Sequence, residues 1–510
     1  MNQHYDIIII GSGMGGLTSA VILAKEGYRV CVLEKNNQYG GCLQTFSRDK
    51  TIFDTGVHYI GSLGKGENLY NYFKYLGIME ELKIAPMDAD AFDKISFGEE
   101  PIAYPIAQGY DKFVEELSRY FPDEKRALTD YSKRIQEICN TFALYDIVKI
   151  DADNEVGYNM EYFSQSVKEF LDSITDNEDL KCVLAGNNLL YAGNAYTTPI
   201  YVHALTVNSY IQSAWRCMLG GSQISKLLVK QLRKYNGEIF KRQEVKQFIY
   251  EGEKPIGVTT IDGVNYYAKQ FISNIDLNAT IKLVGEGHFR KSFTNRIKEL
   301  ELTPSSFSVY IKFKPESFPY LNYNIYHFRD KKSVWDASSC QGKWPEMYML
   351  SMGPSLSNRE YADNLSILTY MSFKEVEKWK ETMNTIVNEN DRGTEYQAFK
   401  EEKIEQIIAE IEKKFPRIRT HIQSVYASTP LSYRDYIGSK NGNMYGFAKD
   451  ADNPLKTFVY PNSKISNLYL TGQSINMHGI LGTTIGAVAT CAEIIGRKKL
   501  IQRIQNEIKG

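Results

Sequence analysis

One stretch near the N-terminus, residues 5–34, constrains this chain more than any other. It reads YDIIIIGSGMGGLTSAVILAKEGYRVCVLE: an apolar strand, a glycine-rich turn, a helix and a second strand that ends on an acid. Gly11 permits the tight turn, Gly13 lets a pyrophosphate approach the backbone, and Gly16 lets helix and strand pack closely. Glu34 is placed to accept hydrogen bonds from a ribose hydroxyl. The pattern predicts a Rossmann-like dinucleotide-binding unit; a glycine turn that serves packing alone is the alternative.

Length and composition set the next limits. With 510 residues the chain is too long for one hydrophobic core, so two or three domains are expected. Hydrophobic residues make up 43% and charged residues 24%, which is typical of a soluble globular protein. The net charge of −1 gives no electrostatic footprint for nucleic acid and argues against membrane attachment by charge alone. We therefore expect no nucleic-acid partner.

Cysteine usage bears on the compartment. The cysteines are scattered, odd in number and never in a CxxC pair. This pattern indicates a reducing compartment and predicts neither a disulfide framework nor a zinc site, so no metal is expected. The seven positions are Cys31, Cys42, Cys139, Cys182, Cys217, Cys340 and Cys491.

Two apolar segments resemble membrane elements only superficially. The N-terminal isoleucines follow residues 2–6, which form no basic region, so a buried parallel strand is expected rather than a signal peptide. Residues 479–496 approach the length of a spanning helix, but their glycines, their threonines and Glu493 fit a buried helix better. The expected location is the cytoplasm, with peripheral membrane contact to collect lipid left open.

Three separated segments look like parts of one nucleotide-binding domain. Residues 1–75 carry the fingerprint, residues 215–280 contain an amphipathic helix followed by strands, and residues 440–510 contain a strand and the apolar run. Residues 76–214 and 281–439 are expected to build a substrate domain with helical and sheet insertions. The predicted architecture is therefore α/β and discontinuous.

Two patterns predict individual elements of the expected substrate domain. Residues 307–313 alternate, with apolar side chains on one side of a predicted strand. Residues 403–415 space their apolar side chains at about 3.6-residue intervals, which predicts an amphipathic helix that Pro416 ends. The domain is thus expected to mix helices with a sheet.

Two further glycine motifs extend the expected ligand site. Gly40-Gly41 would let a second backbone segment approach a ligand along the fingerprint, with a plain surface turn as the alternative. The run NLYLTGQSINMHGILGTTIG reads as a strand, an exit turn at Gly472-Gln473 and a helix that opens at Gly479. A helix N-terminus aimed at a flavin would stabilise negative charge at the N1/O2 edge of the reduced ring. A buried packing helix is compatible with the same run.

A loop motif at residues 53–61, FDTGVHYIG, holds the candidate catalytic side chains. It places an Asp, a His and a Tyr between glycines, as in loops that line a cofactor cleft. His58 can shuttle protons near neutral pH, or it can be a hydrogen-bonded wall residue. Asp54 is expected to accept backbone N–H groups rather than act as a base. Because no Ser-His-Asp, HExxH or paired-carboxylate pattern stands out, the hard chemistry is expected to belong to a cofactor.

These motifs together resemble one family. GSGMGG with Glu34, GGCLQTF, FDTGVHYIG, GGSQISKLL, VKQFIY…GV and NLYLTGQSINMHGILGTTIG are similar to the FAD-dependent phytoene desaturase, carotenoid isomerase and retinol saturase (all-trans-retinol 13,14-reductase-like) group of amine-oxidase-like flavoproteins. The resemblance covers nearly the whole chain and is strongest at both ends. It implies a Rossmann-like FAD-binding domain of the GR2 type with a discontinuous α+β substrate domain.

The resemblance also assigns roles to residues. It implies that the glycines surround the pyrophosphate, Glu34 holds the adenosine ribose, the Val245 backbone meets adenine, Gly472 and Gln473 follow the ribityl–phosphate chain, and residues 480–482 lie under the flavin. Relatives often carry Arg after the double glycine and an acid after the C-terminal glycine, where this chain has Cys42 and Gln473. The expected catalytic residues are His58 and Tyr59. The expected cofactor-binding residues are Gly11, Gly13, Met14, Gly15, Gly16, Glu34, Lys35, Gly40, Gly41, Thr55, Gly56, His58, Val245, Gly472, Gln473, Ile480, Leu481 and Gly482.

The reaction implied by the resemblance is hydride exchange at flavin N5 with a C–C or C=C unit of an elongated apolar substrate. FDTGVHYIG and TGQSINMHGILG look closest to the retinol-saturase and carotenoid-isomerase side, which favours a reductase or isomerase over a desaturase. No second GxGxxG is present, so NAD(P)H would act only as a transient electron donor, or another donor serves. An amine oxidase and a non-enzymatic lipid-escort protein are the alternatives, and the sequence leaves the oligomeric state open.

Overall fold

The computed structural model describes residues 3–151, 160–354, 360–475 and 477–509. Asn476 of the C-terminal motif and the extreme ends of the expected domain ranges lie outside the described residues. The strands are β1 (Gln3–Ile10), β2 (Val30–Leu33), β3 (Thr45–Arg48), β4 (Thr51–Asp54), β5 (Ile60–Gly61), β6 (Ile84–Pro86), β7 (Asp93–Phe97), β8 (Ala103–Ile106), β9 (Ala214–Cys217), β10 (Glu238–Phe240), β11 (Val245–Glu251), β12 (Lys254–Thr260), β13 (Asn265–Ser273), β14 (Ser305–Phe313), β15 (Asn324–Phe328), β16 (Met347–Ser351), β17 (Asn364–Met371), β18 (Ile422–Ser428) and β19 (Leu468–Leu470).

Helices of very different lengths connect these strands. They are α1 (Met14–Lys25), α2 (Asn68–Tyr75), α3 (Tyr110–Ser118), α4 (Lys125–Asn140), α5 (Met160–Ser164), α6 (Val167–Asp172), α7 (Glu178–Leu184), α8 (Ile200–Gln212), α9 (Ser222–Lys234), α10 (Leu277–Val284), α11 (Lys291–Glu299), α12 (Ser333–Asp336), α13 (Thr394–Lys414), α14 (Ile418–His421), α15 (Pro430–Ile437), α16 (Gly479–Ile495) and α17 (Arg497–Lys509). In the described part of the chain, no helix combines the length and the apolar character needed to cross a membrane.

The first sheet has the strand order β10, β2, β1, β13, β12, β11, with β19 also pairing with β13. β10, β2, β1, β13 and β19 run parallel, whereas β11, β12 and β13 form an antiparallel meander. Ile7, Ile8 and Ile9 of β1 have no solvent exposure, because helices or strands cover both faces of this central strand. The predicted Rossmann-like α/β fold is confirmed.

Helix α1 follows β1 directly and is buried from Met14 to Ala24. It packs against α9 and α16, which come from distant parts of the sequence. This burial on all sides explains why its residues are apolar or small up to Ala24 rather than arranged as an amphipathic helix. Three chain segments therefore meet at the carboxyl ends of the parallel strands, where ligands bind in open α/β sheets.

The second sheet has the strand order β18, β14, β17, β16, β15, β7, β8 and is antiparallel except for the pair of β15 with β7. The predicted strand within residues 307–313 is confirmed as part of β14, but both of its faces are buried, including Ser308 and Tyr310. The predicted helix at residues 403–415 is the second half of α13, which begins at Thr394, directly after Gly393, and ends at Lys414.

Candidate active site

A cavity of about 680 Å³ runs from the fingerprint to the second sheet. It brings together most of the residues singled out in the sequence. Those in its lining are Gly11, Gly13, Met14, Gly15, Glu34, Lys35, Gly40, Gly41, Gly56, His58, Tyr59, Val245, Gly472, Gln473 and Ile480.

Four of the expected cofactor-binding residues lie outside this lining. A Cβ on Gly16 would meet the Gly11 carbonyl oxygen, so Gly16 acts through packing of α1 on the turn. The Thr55 hydroxyl donates to the Gln44 carbonyl (2.7 Å). Leu481 packs against the hydrophobic core, and Gly482 lies where a Cβ would come 2.7 Å from the Met477 Cβ.

A glycine cradle forms the narrow part of the cavity. Gly13 and Gly40 form an isolated parallel bridge, so the two glycine motifs lie side by side. Gly40 adopts a φ of +115°, which favours glycine. A Cβ on Gly41 would come 3.2 Å from the Gly13 Cα and would fill the gap between the segments. The cradle thus fits a ligand that needs close backbone approach, as a pyrophosphate does.

Two helix N-termini open onto the same cavity. Helix α1 begins at Met14 and α16 at Gly479, and neither has a side chain that caps its first N–H groups. Gly13, Gly15 and Ile480 at these ends line the cavity. Uncapped N–H groups and the positive ends of two helix dipoles suit a ligand that carries negative charge at two places.

Glu34 lies at the end of β2 and is 5% exposed. It accepts hydrogen bonds from the Ser12 N–H (3.0 Å), the Ser12 hydroxyl (2.6 Å) and the Asn36 N–H (2.8 Å). A carboxylate offers about four acceptor positions, so one remains for a ligand hydroxyl. The arrangement fits a ribose at this end of the cavity.

Asn274 is a cavity residue that the sequence analysis did not select. It follows β13, and its side-chain amide donates to the Gly11 carbonyl (3.2 Å). Its amide oxygen would lie 2.9 Å from a Cβ on Gly472, so it also packs against the C-terminal turn. Because β13 is the parallel neighbour of β1, the rule that ligands bind at carboxyl ends of strands could have identified this position.

The opposite wall of the nucleotide end comes from the start of β11. The Gln243 N–H donates to the Glu34 carbonyl (2.8 Å), and Val245 follows within the lining. The Lys35 ammonium donates to the Asp435 carbonyl (2.9 Å), and burial lowers the pKa of Lys35.

His58 and Tyr59 both line the cavity, and burial shifts their pKa values in opposite directions. Burial, together with the charge of Arg216, lowers the pKa of His58 to about 4, so its imidazole is neutral near neutral pH. The Tyr59 hydroxyl donates to Asp93 (2.9 Å) and lies 2.7 Å from the Tyr326 hydroxyl. Burial, followed by the charge of Asp93, raises the pKa of Tyr59. Both side chains are therefore present as neutral groups.

The two positions that depart from the family pattern also lie in the lining. Burial raises the pKa of Cys42 to about 11, so this position holds a neutral thiol where relatives often carry a cation. Gln473 offers an uncharged amide in place of an acid.

The far end of the cavity is apolar. Its lining includes Leu189, Leu190, Met349, Leu368 and Met444. The carboxylate side chains of the lining, Glu34, Glu244 and Asp276, belong to the nucleotide end. The site thus joins a polar, glycine-rich section to a section suited to a hydrocarbon.

Asp54 provides a pH-dependent prediction about stability. It accepts the Gly221 N–H (2.6 Å), as expected of a structural acceptor, and burial raises its pKa from 3.8 to about 7. Since the folded-state pKa exceeds the unfolded one, this carboxyl stabilises the fold at low pH, and that stability is lost as the pH rises from about 4 through about 7. Asp54→Asn keeps an acceptor oxygen, so its free energy of unfolding in urea should exceed that of wild type increasingly as the pH rises. A difference that does not change with pH would contradict this.

The fold and the cavity define an α/β protein with a Rossmann-like fold and one large cavity at the carboxyl ends of its parallel strands. The chain belongs to the flavin-containing amine oxidoreductase family, whose model matches residues 14–495. It is 26% identical over 554 residues to the all-trans-retinol 13,14-reductase of Danio rerio, covering 99% of this chain and 89% of that protein. It is 25% identical over 489 residues to the chloroplastic prolycopene isomerase of Arabidopsis thaliana, covering 92% and 79%. The structure of wild-type putrescine oxidase bound to putrescine shares the fold, with a TM-score of 0.63, 13% identity and coverage of 97% and 100%.

Proposed function

We propose that this protein is an FAD-dependent oxidoreductase that reduces or isomerises a C=C unit of an elongated apolar, isoprenoid-like substrate. The observation that carries the proposal is one continuous cavity that joins the glycine cradle to an apolar end. When bound, FAD supplies hydride exchange at N5. The chain's own residues bind the nucleotide, exclude water and orient the substrate.

The nucleotide part of the proposal depends on the length of the polar section. Glu34 and Val245 lie at one end of the cavity, and Ile480 lies where the polar section meets the apolar section. A ribose acceptor beyond the pyrophosphate cradle favours a dinucleotide, FAD, over a flavin mononucleotide. NAD(P)H would serve as a transient electron donor at the flavin face, because the sequence has no second glycine fingerprint.

The substrate part of the proposal has two supports. The apolar end offers leucine and methionine side chains and no carboxylate to neutralise a substrate cation. Two relatives are named for a retinol and for prolycopene, both polyenes. We further propose a cytoplasmic location with peripheral membrane contact, through which such a substrate is collected.

An assay of the flavin-loaded protein tests the proposal. Protein reduced anaerobically is mixed with all-trans-retinol or with prolycopene, and the polyene spectrum is followed; the oxidised protein is tested in parallel. A blue shift that accompanies flavin reoxidation indicates reduction, whereas a spectral change without net flavin oxidation indicates isomerisation. Flavin-loaded protein that changes neither polyene would overturn the proposal.

His58→Ala is expected to slow turnover with FAD retained. The neutral imidazole can offer the substrate or the cofactor one hydrogen bond, whose loss corresponds to about tenfold in rate. His288→Ala, at an exposed position outside the cavity lining, is the matched control. Steady-state turnover and flavin content measure the effect. Unchanged turnover in His58→Ala would show that His58 lines the cavity without taking part in the reaction.

An amine oxidase is the second candidate, because the rings of Tyr210 and Tyr445 line the cavity and could face a substrate amine. Peroxide production with amines, and none with polyenes, would select it. A lipid-escort protein would instead be indicated by purified protein without flavin absorbance.

A further inference from the structure

A buried polar cluster lies behind one wall of the cavity. Asp93, the first residue of β7, has no solvent exposure. Its carboxylate accepts hydrogen bonds from the Tyr59 hydroxyl (2.9 Å) and from the amides of Asn187 (2.6 Å) and Asn324 (2.8 Å). The Tyr59 hydroxyl also lies 2.7 Å from that of Tyr326. Separate parts of the chain thus hold one carboxyl group and connect it to a pair of hydroxyls.

Tyr210, near the end of α8, joins this cluster to the cavity. Its ring lines the cavity and packs against Tyr59 at a centroid distance of 4.4 Å. The hydroxyls of Tyr433 and Tyr445, which also line the cavity, donate to backbone carbonyls. Within the described ranges, the Tyr210 hydroxyl has no hydrogen-bond partner. Its oxygen is not among the fully buried side-chain atoms that lack a partner, so it keeps some accessible surface. This hydroxyl is therefore available to a ligand.

Electrostatics couple Tyr210 to Asp93. Burial raises the pKa of Asp93 to about 7, although its hydrogen bonds and the charge of Arg216 act to lower that pKa. Burial, followed by the charge of Asp93, raises the pKa of Tyr210. A phenolate at Tyr210 is consequently less unfavourable while Asp93 is protonated. The titratable and charged groups that face Asp93 are Tyr59, Tyr210, Tyr326 and Arg216.

We propose that Tyr210 is the catalytic proton donor for saturation of the substrate double bond, and that Asp93 is a positioning residue that controls its release of the proton. This inference rests on the proposed function. A hydride carrying two electrons adds to one alkene carbon, and the π pair moves to the neighbouring carbon, where it forms a C–H bond with the proton of the Tyr210 hydroxyl. The O–H bond breaks, a phenolate remains, and water restores its proton. The hydride is that of reduced FAD, which an external two-electron donor reduces.

Tyr210→Phe tests the donor because it keeps the ring and removes only the hydroxyl. In single turnovers of dithionite-reduced, FAD-loaded protein with all-trans-retinol, we expect saturated product to form at least about 100-fold more slowly. Retinol binding to the oxidised protein, followed by quenching of protein fluorescence, should stay near the wild-type level. Tyr104→Phe is the matched control, since Tyr104 is a buried tyrosine of the second sheet outside the cavity lining.

Asp93→Asn tests the positioning role through pH. The wild-type single-turnover rate should fall as the pH rises through about 7, and the variant should lose this inflection. A second readout needs no substrate: the protonated-carboxyl infrared absorption that disappears near pH 7 should be smaller in Asp93→Asn than in wild type, and the part that remains should belong to Asp54.

The outcomes separate the two levels of the proposal. If retinol is saturated by Tyr210→Phe at the wild-type rate, or if Asp93→Asn keeps the wild-type pH inflection, the inference fails while the proposed function stands. If flavin-loaded wild-type protein converts neither retinol nor prolycopene, the proposed function fails and the inference fails with it.

Discussion

Gly13→Val is expected to remove the flavin while leaving most of the fold in place. Gly13 bridges to Gly40 and immediately precedes α1, so a branched side chain would occupy the space of the pyrophosphate. A Cβ there would come 3.0 Å from the amide nitrogen of Asn274, a side chain that can give way, rather than from backbone. FAD affinity should fall by at least about 100-fold, which corresponds to about 3 kcal/mol. Flavin absorbance per mole of protein, with circular dichroism to check the fold, measures this.

Gly287→Val is the control for that experiment. Gly287 lies outside the cavity lining, and a Cβ added to it meets no atom within 4 Å. This variant should keep the wild-type flavin content. The comparison shows whether the loss of flavin in Gly13→Val comes from the position of the valine or from any glycine-to-valine change. A Gly13→Val protein with stoichiometric FAD would refute the assignment of the cradle.

Glu34→Ala should lower both FAD affinity and stability. The substitution leaves three donors without their acceptor: the Ser12 N–H, the Ser12 hydroxyl and the Asn36 N–H. Each unsatisfied buried group costs about 1–3 kcal/mol. The Gly40 N–H donates to the Ser12 hydroxyl oxygen (3.2 Å), and without Glu34 nothing holds that hydroxyl in position to accept it. We expect a lower melting temperature even without FAD, and an affinity loss of at least about tenfold with it.

The two effects of Glu34→Ala can be measured separately. Thermal unfolding of the flavin-free protein reports the lost hydrogen bonds, and titration with FAD reports the ribose contact. Glu253→Ala, at an exposed position in the turn between β11 and β12, serves as the matched control. If Glu34→Ala melts like wild type and binds FAD equally well, Glu34 neither organises the turn nor holds the ribose.

The nucleotide end of the site could be predicted from the sequence because its geometry is largely local. Gly11, Gly13 and Glu34 lie within one strand–helix–strand unit, and each has a steric or hydrogen-bonding role that few other residues fill. The unbroken isoleucines of β1 likewise indicate a strand covered on both faces. Motif spacing therefore predicted the Rossmann-like unit and residues that line one end of the cavity.

The wall that holds the proposed proton donor could not be predicted in the same way. Asp93, Arg216 and Tyr326 belong to three strands far apart in the sequence, and no short motif marks any of them. Tyr210 lies on an almost fully buried helix, where it reads as one core aromatic among many. The cluster to which we assign a role forms only when α8 and the second sheet pack against residues 58–59.

The cradle also has a consequence for the integrity of the chain. Its parts come from the first 41 residues and from Gly472, while the helix that begins at Gly479 completes the wall. Strand β19, which leads to Gly472, pairs with β13 and so places the C-terminal turn beside the carboxyl end of that strand. The cavity therefore forms only when residues from near the two ends of the sequence are brought together, so a chain cut between residues 41 and 472 should not retain FAD unless both pieces stay associated.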